Sequence, residues 1–204
     1  MPARDRACHG LRYRILTGRL APGKMLLETE LAVLLSLSRT PVREAAIRLA
    51  EEGLIDVRDI LDVLSALEIR AVELVARRGL TSTKRDQLAH LLDRMERATR
   101  AGDIAHWSDL DDDFHSTIAL MCDNDRLLST LDEYWAQQYR PRMMIVPLRP
   151  TPTQSNIEHR RILDALAAGD SEAARLAQQQ HRALADRQQL DLLREVLADG
   201  SQTT

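Results

Sequence analysis

Two short amphipathic helices in tandem near the N-terminus constrain the fold more than any other feature of the chain. Leu31, Leu34 and Leu35 recur at helical spacing. Ser38 can cap a second helix by accepting a hydrogen bond from a free backbone N–H, and Pro41 in its first turn loses little through its missing N–H. The apolar stripe of this second helix comprises Val42, Ala45, Ala46 and Leu49. With Ser36-Leu37-Ser38 as the turn, the pattern predicts a helix-turn-helix.

The polar residues at the start of the second helix indicate what the motif binds. Arg39, Thr40 and Arg43 lie in its first turn or just before it, on the side away from the apolar stripe. A helix that enters the major groove of DNA presents its N-terminal residues to base edges and phosphates. The alternative is a surface helix with solvated arginines. Local charge favours DNA, since residues 1–58 carry ten Lys/Arg against seven Asp/Glu in a chain of net charge −3.

The run from Ile15 to Ile55 closely resembles the winged-helix domain of the GntR family of bacterial transcription regulators. It carries the family pattern I-x-x-G-x-L-x-P-G, then L-A, then S-R-T-P-V-R-E-A, then E-G-L, at the family's spacings. The resemblance implies that Ser38, Arg39, Thr40 and Arg43 contact operator DNA. The chain departs from the family at Thr29, where an arginine often stands.

The end of this DNA-binding domain, residues 1–58, is where the sequence departs from a complete winged helix. Gly53 is expected to end the recognition helix, and Leu54–Arg58 has the character of a first wing strand. Met25–Leu27 is expected to form the short strand that pairs in such domains. No returning strand follows, because a new helical pattern begins at Asp59. Either the chain lacks the wing or a hairpin tip is missing between Arg58 and Asp59, and we favour the second explanation.

From residue 59 to 199 every segment has helical periodicity, which predicts an antiparallel bundle of six helices. Thr81 or Ser82, Gly102-Asp103 and Gly169-Asp170 provide stop and capping signals between helices. The fold class is therefore mostly α, a winged helix-turn-helix followed by an all-α bundle. The two distant cysteines, and the lack of a signal peptide or an apolar run of membrane-spanning length, favour a soluble cytoplasmic protein.

Polar residues on inward helix faces point to a metal site. Helical periodicity places Asp111 on an apolar face, with His115 four residues later, whereas its acidic neighbours face elsewhere. His159 and His181 likewise align with apolar residues of later helices. Any one such histidine is more typical of an ordinary core residue. Three histidines and one carboxylate aimed at a single bundle interior instead fit a divalent cation such as zinc, nickel or manganese.

Residues 59–198 also resemble the effector-binding FCD domain of the FadR subgroup of GntR regulators. D-x-x-x-H ends at His115, the run E-H-x-x-I-x-x-A-L-x-x-G-D contains His159, and His181 follows about one helix later. The resemblance implies that Asp111, His115, His159 and His181 bind a metal, with zinc the first expectation. Open coordination positions would take water or a small organic acid. The remaining histidines match nothing and are expected on the surface: His9, His90 and His106.

An acid effector also needs a cation, and three arginines are candidates. Arg70 flanks an apolar stripe and could clamp a carboxylate in two-pronged fashion, while Arg140 and Arg142 lie on the fourth helix of the bundle. For each of them, the alternative is a side chain that extends to solvent.

Together these features predict a homodimeric transcription regulator that binds double-stranded operator DNA and responds to a small carboxylate. A direct metal-ion sensor is one alternative. A metallohydrolase is another, which we disfavour because we find no second inward carboxylate to act as a general base and the DNA-binding half would have no role. The protein is therefore not expected to be an enzyme.

Overall fold

The computed structural model describes residues 1–16 and 28–199, apart from the side chains of residues 15, 16, 50–56, 140 and 197–199. Within these residues the backbone forms helices and no strand. They are α1 (Ala3–Leu16), α2 (Glu28–Leu35), α3 (Arg39–Arg78), α4 (Ser82–Ala101), α5 (Ile104–Met121), α6 (Asp125–Ile145), a 3-10 turn (Val146–Leu148), α7 (Thr153–Ala168) and α8 (Ser171–Asp199). The described residues divide into two compact units, which meet in sequence between Asp56 and Val57.

The N-terminal unit contains the predicted helix-turn-helix. α2 ends at Leu35, and α3 begins directly after Ser38. Ser36 adopts a positive φ of 53°, and the Leu37 N–H donates to the Ala32 carbonyl at 3.0 Å, which closes the turn. The buried core draws on all three helices and comprises Ala7, Cys8, Leu11, Leu31, Ala32, Val42 and Ala45. The two apolar stripes read from the sequence therefore pack together, except that Leu34 is exposed.

Gly10 lies where α1 approaches α2 closely. A Cβ added at Gly10 would lie 2.7 Å from Leu35 Cδ2, so a larger residue would require the Leu35 side chain to shift. Arg14 spans the same pair, donating to the Gly10 carbonyl at 3.2 Å and to the Leu34 carbonyl at 3.3 Å. The second of these bonds satisfies a carbonyl at the C-terminal end of α2, where no intrahelical donor exists.

The wing predicted after the recognition helix is absent from the described part of the structure. Leu54–Arg58 is helical, Gly53 does not end the helix, and α3 runs without interruption from Arg39 to Arg78. A single strand with no returning partner would leave its backbone N–H and C=O groups unpaired, whereas a helix pairs them internally. The strand predicted at Leu54–Arg58 is therefore wrong, and Arg58 and Asp59 are consecutive residues of one helix. The strand expected at Met25–Leu27 lies outside the described residues.

In the second unit, the helix boundaries are set by the caps that the sequence predicted. The Thr81 hydroxyl accepts from the Lys84 N–H at 3.3 Å, and the Asp103 carboxylate accepts from the His106 N–H at 3.0 Å. α4 and α7 end at Gly102 and Gly169, each with a φ of 70°, a conformation that favours glycine. These caps confirm the predicted breaks between helices.

The core of the second unit is dominated by side chains from α3 to α8. Its largest fully buried members include Leu64, Leu88, Met95, Trp107, Phe114, Leu131 and Ile162. α4 packs against α5 and α7. In the part of the chain that the structure describes, no helix is both long and apolar enough to span a membrane. Both cysteines, Cys8 and Cys122, are buried free thiols.

Candidate metal centre and DNA-contacting helix

The predicted DNA-contacting residues form an exposed group at the start of α3. Ser38, Arg39, Thr40 and Arg43 are all exposed. Glu28 at the start of α2 faces the two arginines, with Oε2 at 3.9 Å from Arg39 Nη2 and Oε1 at 3.7 Å from Arg43 Nε. Both guanidinium groups keep more than half of their surface in solvent. They are therefore loosely paired and available to another anion.

Four predicted metal ligands come together from three helices of the second unit. α5 supplies Asp111 and His115, α7 supplies His159, and α8 supplies His181. All four side chains are buried, with His159 fully enclosed. Each contributes one donor atom to a group in which all atoms lie within 4.8 Å of one another. By contrast, His9, His90 and His106 are exposed, as the sequence predicted.

Distances within this group match those between ligands of a single ion. His159 Nε2 lies 3.2 Å from His181 Nε2 and 3.2 Å from Asp111 Oδ1. His115 Nε2 lies 3.8 Å from the same Asp111 oxygen. Two donors bound at about 2.1 Å to one metal are about 3–4 Å apart. The arrangement therefore has the dimensions of a first coordination shell.

Two of the donor atoms have no hydrogen-bond partner although they are buried. Asp111 Oδ1 and His115 Nε2 make no hydrogen bond in the described structure, even though each lies close to other polar atoms of the group. Leaving a buried polar atom unpaired costs about 1–3 kcal/mol, more when it is charged. A bound cation would remove this cost, because both atoms carry lone pairs suited to a metal.

The surroundings of Asp111, His159 and His181 keep these three side chains in the protonation states that metal binding requires. Burial, and next the neighbouring His115, lower the pKa of His181 from 6.5 to about 3. Burial and His181 hold the pKa of His159 well below its ordinary value. Burial alone would raise the pKa of Asp111, but Arg142 and the imidazoles outweigh it and hold this pKa well below the usual range. Neutral imidazoles and an ionised carboxylate are the forms that bind a cation.

Two buried glutamates that the sequence analysis did not identify lie near the Nδ1 atoms of two of the histidines. Glu158 Oε2 lies 3.0 Å from His181 Nδ1, and Gln154 donates to Glu158 Oε1 at 2.9 Å. On the other side, Glu68 Oε2 lies 3.8 Å from His115 Nδ1. Glu68 also accepts hydrogen bonds from Trp135 Nε1 and Gln178 Nε2. The contact with Glu158 leaves the Nε2 atom of His181 facing the other donors, whereas Glu68 lies beyond hydrogen-bond distance of His115.

A signal for both glutamates was present in the sequence. Glu68 follows buried Leu64 by four residues, and Glu158 precedes buried Ile162 by four, so each shares an inward helix face. The expectation of no second inward carboxylate is therefore wrong.

A cavity of about 180 Å³ opens beside the donor group. Asp111, His115 and His181 line it together with Glu68, Trp135, Gln138, Arg142, Arg149, Arg182 and Gln189. The volume is below the roughly 300–1,000 Å³ typical of sites for drug-sized ligands. The cavity therefore suits a ligand of only a few carbon atoms.

Of the three arginines predicted for an effector, the structure places one at this cavity. Arg142 is buried, donates to Asp111 Oδ2 and the Ser108 carbonyl at 2.9 Å each, and also pairs with Asp112. Arg70 is not in the cavity: its side chain is 45% exposed and pairs with Glu73 at 2.8 Å, because its position on α3 faces away from Leu64 and Glu68. The Arg140 side chain lies outside the described residues.

Two further arginines at the cavity were not anticipated. Arg182 on α8 is buried and pairs with Asp186 at 2.6 Å and, more loosely, with Glu68 at 3.6 Å. Arg182 follows His181 directly in the sequence, and the inward position predicted for His181 was the only indication of where Arg182 lies. Arg149 lies in an irregular segment between α6 and α7, where no periodicity exists to place it.

Comparison with known proteins agrees with this architecture. The family model "Bacterial regulatory proteins, gntR family" matches residues 3–59, and the FCD domain model matches residues 59–184. An uncharacterised HTH-type transcriptional regulator from Streptomyces ambofaciens is 33% identical over 184 residues, which cover 84% of this chain and 78% of that protein. The HTH-type transcriptional repressor RspR of Escherichia coli is 32% identical over 186 residues, covering 84% of this chain and 82% of that protein.

A solved structure shows the same fold at lower sequence identity. A GntR-family transcriptional regulator from Pseudomonas syringae superimposes with a TM-score of 0.63 at 22% identity, covering 97% of this chain and 88% of that one. The sequence relatives are transcriptional regulators, which agrees with the expectation that the protein is not an enzyme. The chain belongs to the GntR family of bacterial transcription regulators, and its helical second unit is an FCD domain.

Proposed function

We propose that the FCD domain binds one divalent metal ion through Asp111, His115, His159 and His181, and that a small organic acid at this ion controls operator binding by the N-terminal unit. The observation that carries the proposal is the presence of two buried atoms without hydrogen bonds, Asp111 Oδ1 and His115 Nε2, within a compact set of donors. Three imidazoles and one carboxylate favour zinc, with nickel and manganese also compatible. The ion would supply a Lewis-acid centre that a carboxylate can bind.

The charge of the cavity supports an anionic effector. Its lining carries three arginines, Arg142, Arg149 and Arg182, and four carboxylates, Glu68, Asp111, Asp112 and Asp113, which together leave one negative charge. A divalent ion at the donor group would bring the total to one positive charge. An organic acid would offset this excess, whereas a neutral or cationic ligand would not. Regulation then requires that the acid bind the DNA-competent and DNA-incompetent states with different affinity.

We propose that operator DNA is contacted by Ser38, Arg39, Thr40 and Arg43. Two observations support this assignment. All four residues are exposed at the N-terminal end of the second helix of a helix-turn-helix, and the two arginines are only loosely paired. One such helix reads only a few base pairs, so we further propose a homodimer that reads two half-sites of a near-palindrome.

Elemental analysis of the purified protein tests the metal centre. We expect about one metal ion per chain in the wild type and in His106→Ala, whose exposed histidine serves as the matched control, and a strong loss in His159→Ala and His181→Ala. Chelation should lower the melting temperature of the wild type, because a ligand that binds the folded state stabilises it. Metal content equal in all four proteins, or absent from the wild type, would contradict the assignment.

The same protein separates metabolite sensing from direct metal sensing. Operator DNA, obtained by in vitro selection with the purified protein, is titrated with metal-loaded and metal-free protein in the absence of any organic acid. If an acid is the signal, loading with metal alone should change the affinity little. A large change on metal loading alone would instead identify the ion as the signal.

A further inference from the structure

Three arginines line the cavity, and two of them are already neutralised. Arg142 is paired with Asp111 and Asp112, and Arg182 with Asp186 and Glu68. Each of these guanidinium groups therefore has a structural role in holding helices together. Neither is free to bind a new anion without releasing a carboxylate that it now holds.

Arg149 differs, because its guanidinium makes no ion pair or hydrogen bond with any side chain that the structure describes. It is half-buried, and its Cζ atom lies 5.1 Å from the centre of the Trp107 ring. A cation over an aromatic face is attracted by the ring, which favours this position of the guanidinium without neutralising its charge. Burial lowers the pKa of Arg149 below 12.5, yet an arginine remains charged at neutral pH. A half-buried cation that forms no ion pair thus faces the cavity, with the carboxylate of Asp111 as its nearest opposing charge by electrostatic effect.

The local backbone holds this side chain in position. The Arg149 N–H donates to the Val146 carbonyl at 3.3 Å and closes the 3-10 turn. Pro150 follows, and a residue before proline is restricted to extended conformations, as the observed φ of −65° and ψ of 134° show. Beneath the guanidinium, Trp107 is fully buried and its Nε1 donates to Asn156 at 2.8 Å. Both the backbone and the aromatic support are therefore rigid, as a preorganised binding group requires.

Arg149 is close to the donor group but separate from it. The Trp107 ring beneath it stacks against the His159 ring, with centroids 6.2 Å apart. Arg149 lines the same cavity as Asp111, His115 and His181. One small molecule in this cavity could therefore reach both positions.

From this arrangement we infer that Arg149 is a second anion subsite and that the effector is a short acid with two carboxylates, one at the metal and one at Arg149. The inference rests on the proposed function for its metal-bound end. A monocarboxylate would occupy the metal and leave Arg149 without an anion, whereas a dicarboxylate would occupy both. The size of the cavity limits the chain between the two carboxylates to a few carbon atoms.

Two matched pairs of acids test the inference by calorimetric titration of protein loaded with Zn²⁺. Lactate and malate are both 2-hydroxy acids that can chelate a metal, and malate adds one carboxylate. Propionate and succinate differ from each other in the same way and lack the hydroxyl. In the wild type we expect each diacid to bind roughly 10- to 100-fold more tightly than its partner, the effect of one hydrogen-bonded charge pair. In Arg149→Gln this preference should disappear through weaker binding of the diacid, with affinity for the monoacid unchanged.

Control variants show whether a loss of the diacid preference is specific to the Arg149 guanidinium. Arg85→Gln removes an exposed arginine of α4 and should behave as the wild type, and Arg149→Lys should retain part of the preference. Thermal unfolding should show at most a small change in Arg149→Gln, since the substitution removes a cation–π contact with Trp107 but breaks no ion pair. Metal content is measured first in each protein.

The outcomes separate the two proposals. Equal affinity for both members of each pair in the wild type, an equal loss for both in Arg149→Gln, or failure of all four acids to bind would overturn the inference while leaving the metal assignment intact. A wild type without metal would contradict the proposed function and the metal-bound end of the effector. In that case the same titrations on metal-free protein decide whether Arg149 is an anion subsite, since a preference lost in Arg149→Gln supports it and no preference refutes it.

Discussion

At the scale of single residues, the candidate centre depends on carboxylates that do not themselves belong to the donor group. Glu158 is buried, and its Oε2 lies 3.0 Å from His181 Nδ1, which leaves Nε2 of that ring facing His159. Asp111 is fixed in a similar way, because Arg142 holds Oδ2 at 2.9 Å while Oδ1 faces the imidazoles. Such outer partners set the tautomer and orientation of a metal ligand.

We therefore expect Glu158→Gln to weaken metal binding by about 10- to 100-fold without abolishing it. The amide retains the size of the side chain but no longer stabilises a proton on Nδ1 through a charge-assisted bond. The measurement is competition for Zn²⁺ against a chromogenic chelator. Glu172→Gln, an exposed change on α8, is the matched control and should leave the affinity unchanged. An affinity equal to the wild type in Glu158→Gln would show that the glutamate does not position the histidine.

At the scale of helices, periodicity predicted which face of α5 and α7 is buried. It selected Asp111 from four acids in α5, and the structure leaves Asp109, Asp112 and Asp113 exposed. The same periodicity places Glu68 and Glu158 on inward faces, although residue type alone favours solvent for a glutamate. The prediction for Arg70 is wrong because it treats Val63 as part of the inward face of α3. Val63 is 39% exposed, while Leu61 and Leu64 are buried.

Two other features could not be obtained from periodicity. Arg149 lies in the proline-rich segment after α6, where side-chain direction depends on tertiary packing. The continuity of α3 depends on what lies beyond it, since Leu54–Arg58 suits a strand or a helix, and only the lack of a returning strand decides between them. Local patterns therefore predicted most helices and all four residues of the donor group, whereas the irregular segment and the absence of strand pairing needed the structure.

The start of α3 carries a prediction of its own, with two changes of opposite sign. Arg43→Ala should weaken operator binding and reduce the slope of log affinity against log salt by about one, as expected for the loss of one phosphate contact. Glu28→Gln should strengthen binding to non-specific DNA by up to about fivefold, because it removes an exposed carboxylate that competes for Arg39 and Arg43. Fluorescence anisotropy over a salt series measures both.

The control for these two changes is Arg4→Ala, which removes an exposed arginine of α1 in the same unit. It should leave the slope unchanged. A salt slope in Arg43→Ala equal to that of the wild type would refute phosphate contact by this residue, and weaker non-specific binding in Glu28→Gln would refute the proposed competition.

At the scale of the whole molecule, buried neutral imidazoles make the FCD domain sensitive to acid. Unfolding would expose His159 and His181 to water, where a histidine titrates near 6.5, whereas burial and neighbouring imidazoles lower both pKa values in the fold, that of His181 to about 3. Below pH 6.5 the unfolded chain therefore binds protons that the folded chain does not. The stability of the metal-free domain is complete above this pH and falls as the pH decreases toward 3.

The expected fall is about 1.4 kcal/mol per pH unit for each such histidine. Asp111, whose pKa is also lowered in the fold, adds a loss of the same sign below about pH 4. Urea unfolding of the chelated protein at pH 7, 6 and 5, followed by tryptophan fluorescence, measures this fall in the free energy of unfolding. Trp107 and Trp135 are the two tryptophans of the chain, and both lie in the FCD domain, so this signal follows that domain alone. His181→Gln should show a slope smaller by one histidine, and His106→Ala, which replaces an exposed histidine outside the donor group, is the control and should retain the wild-type slope. A slope unchanged in His181→Gln would mean that this imidazole is protonated equally in the folded and unfolded chain, and it would then be a poor ligand for a metal near neutral pH.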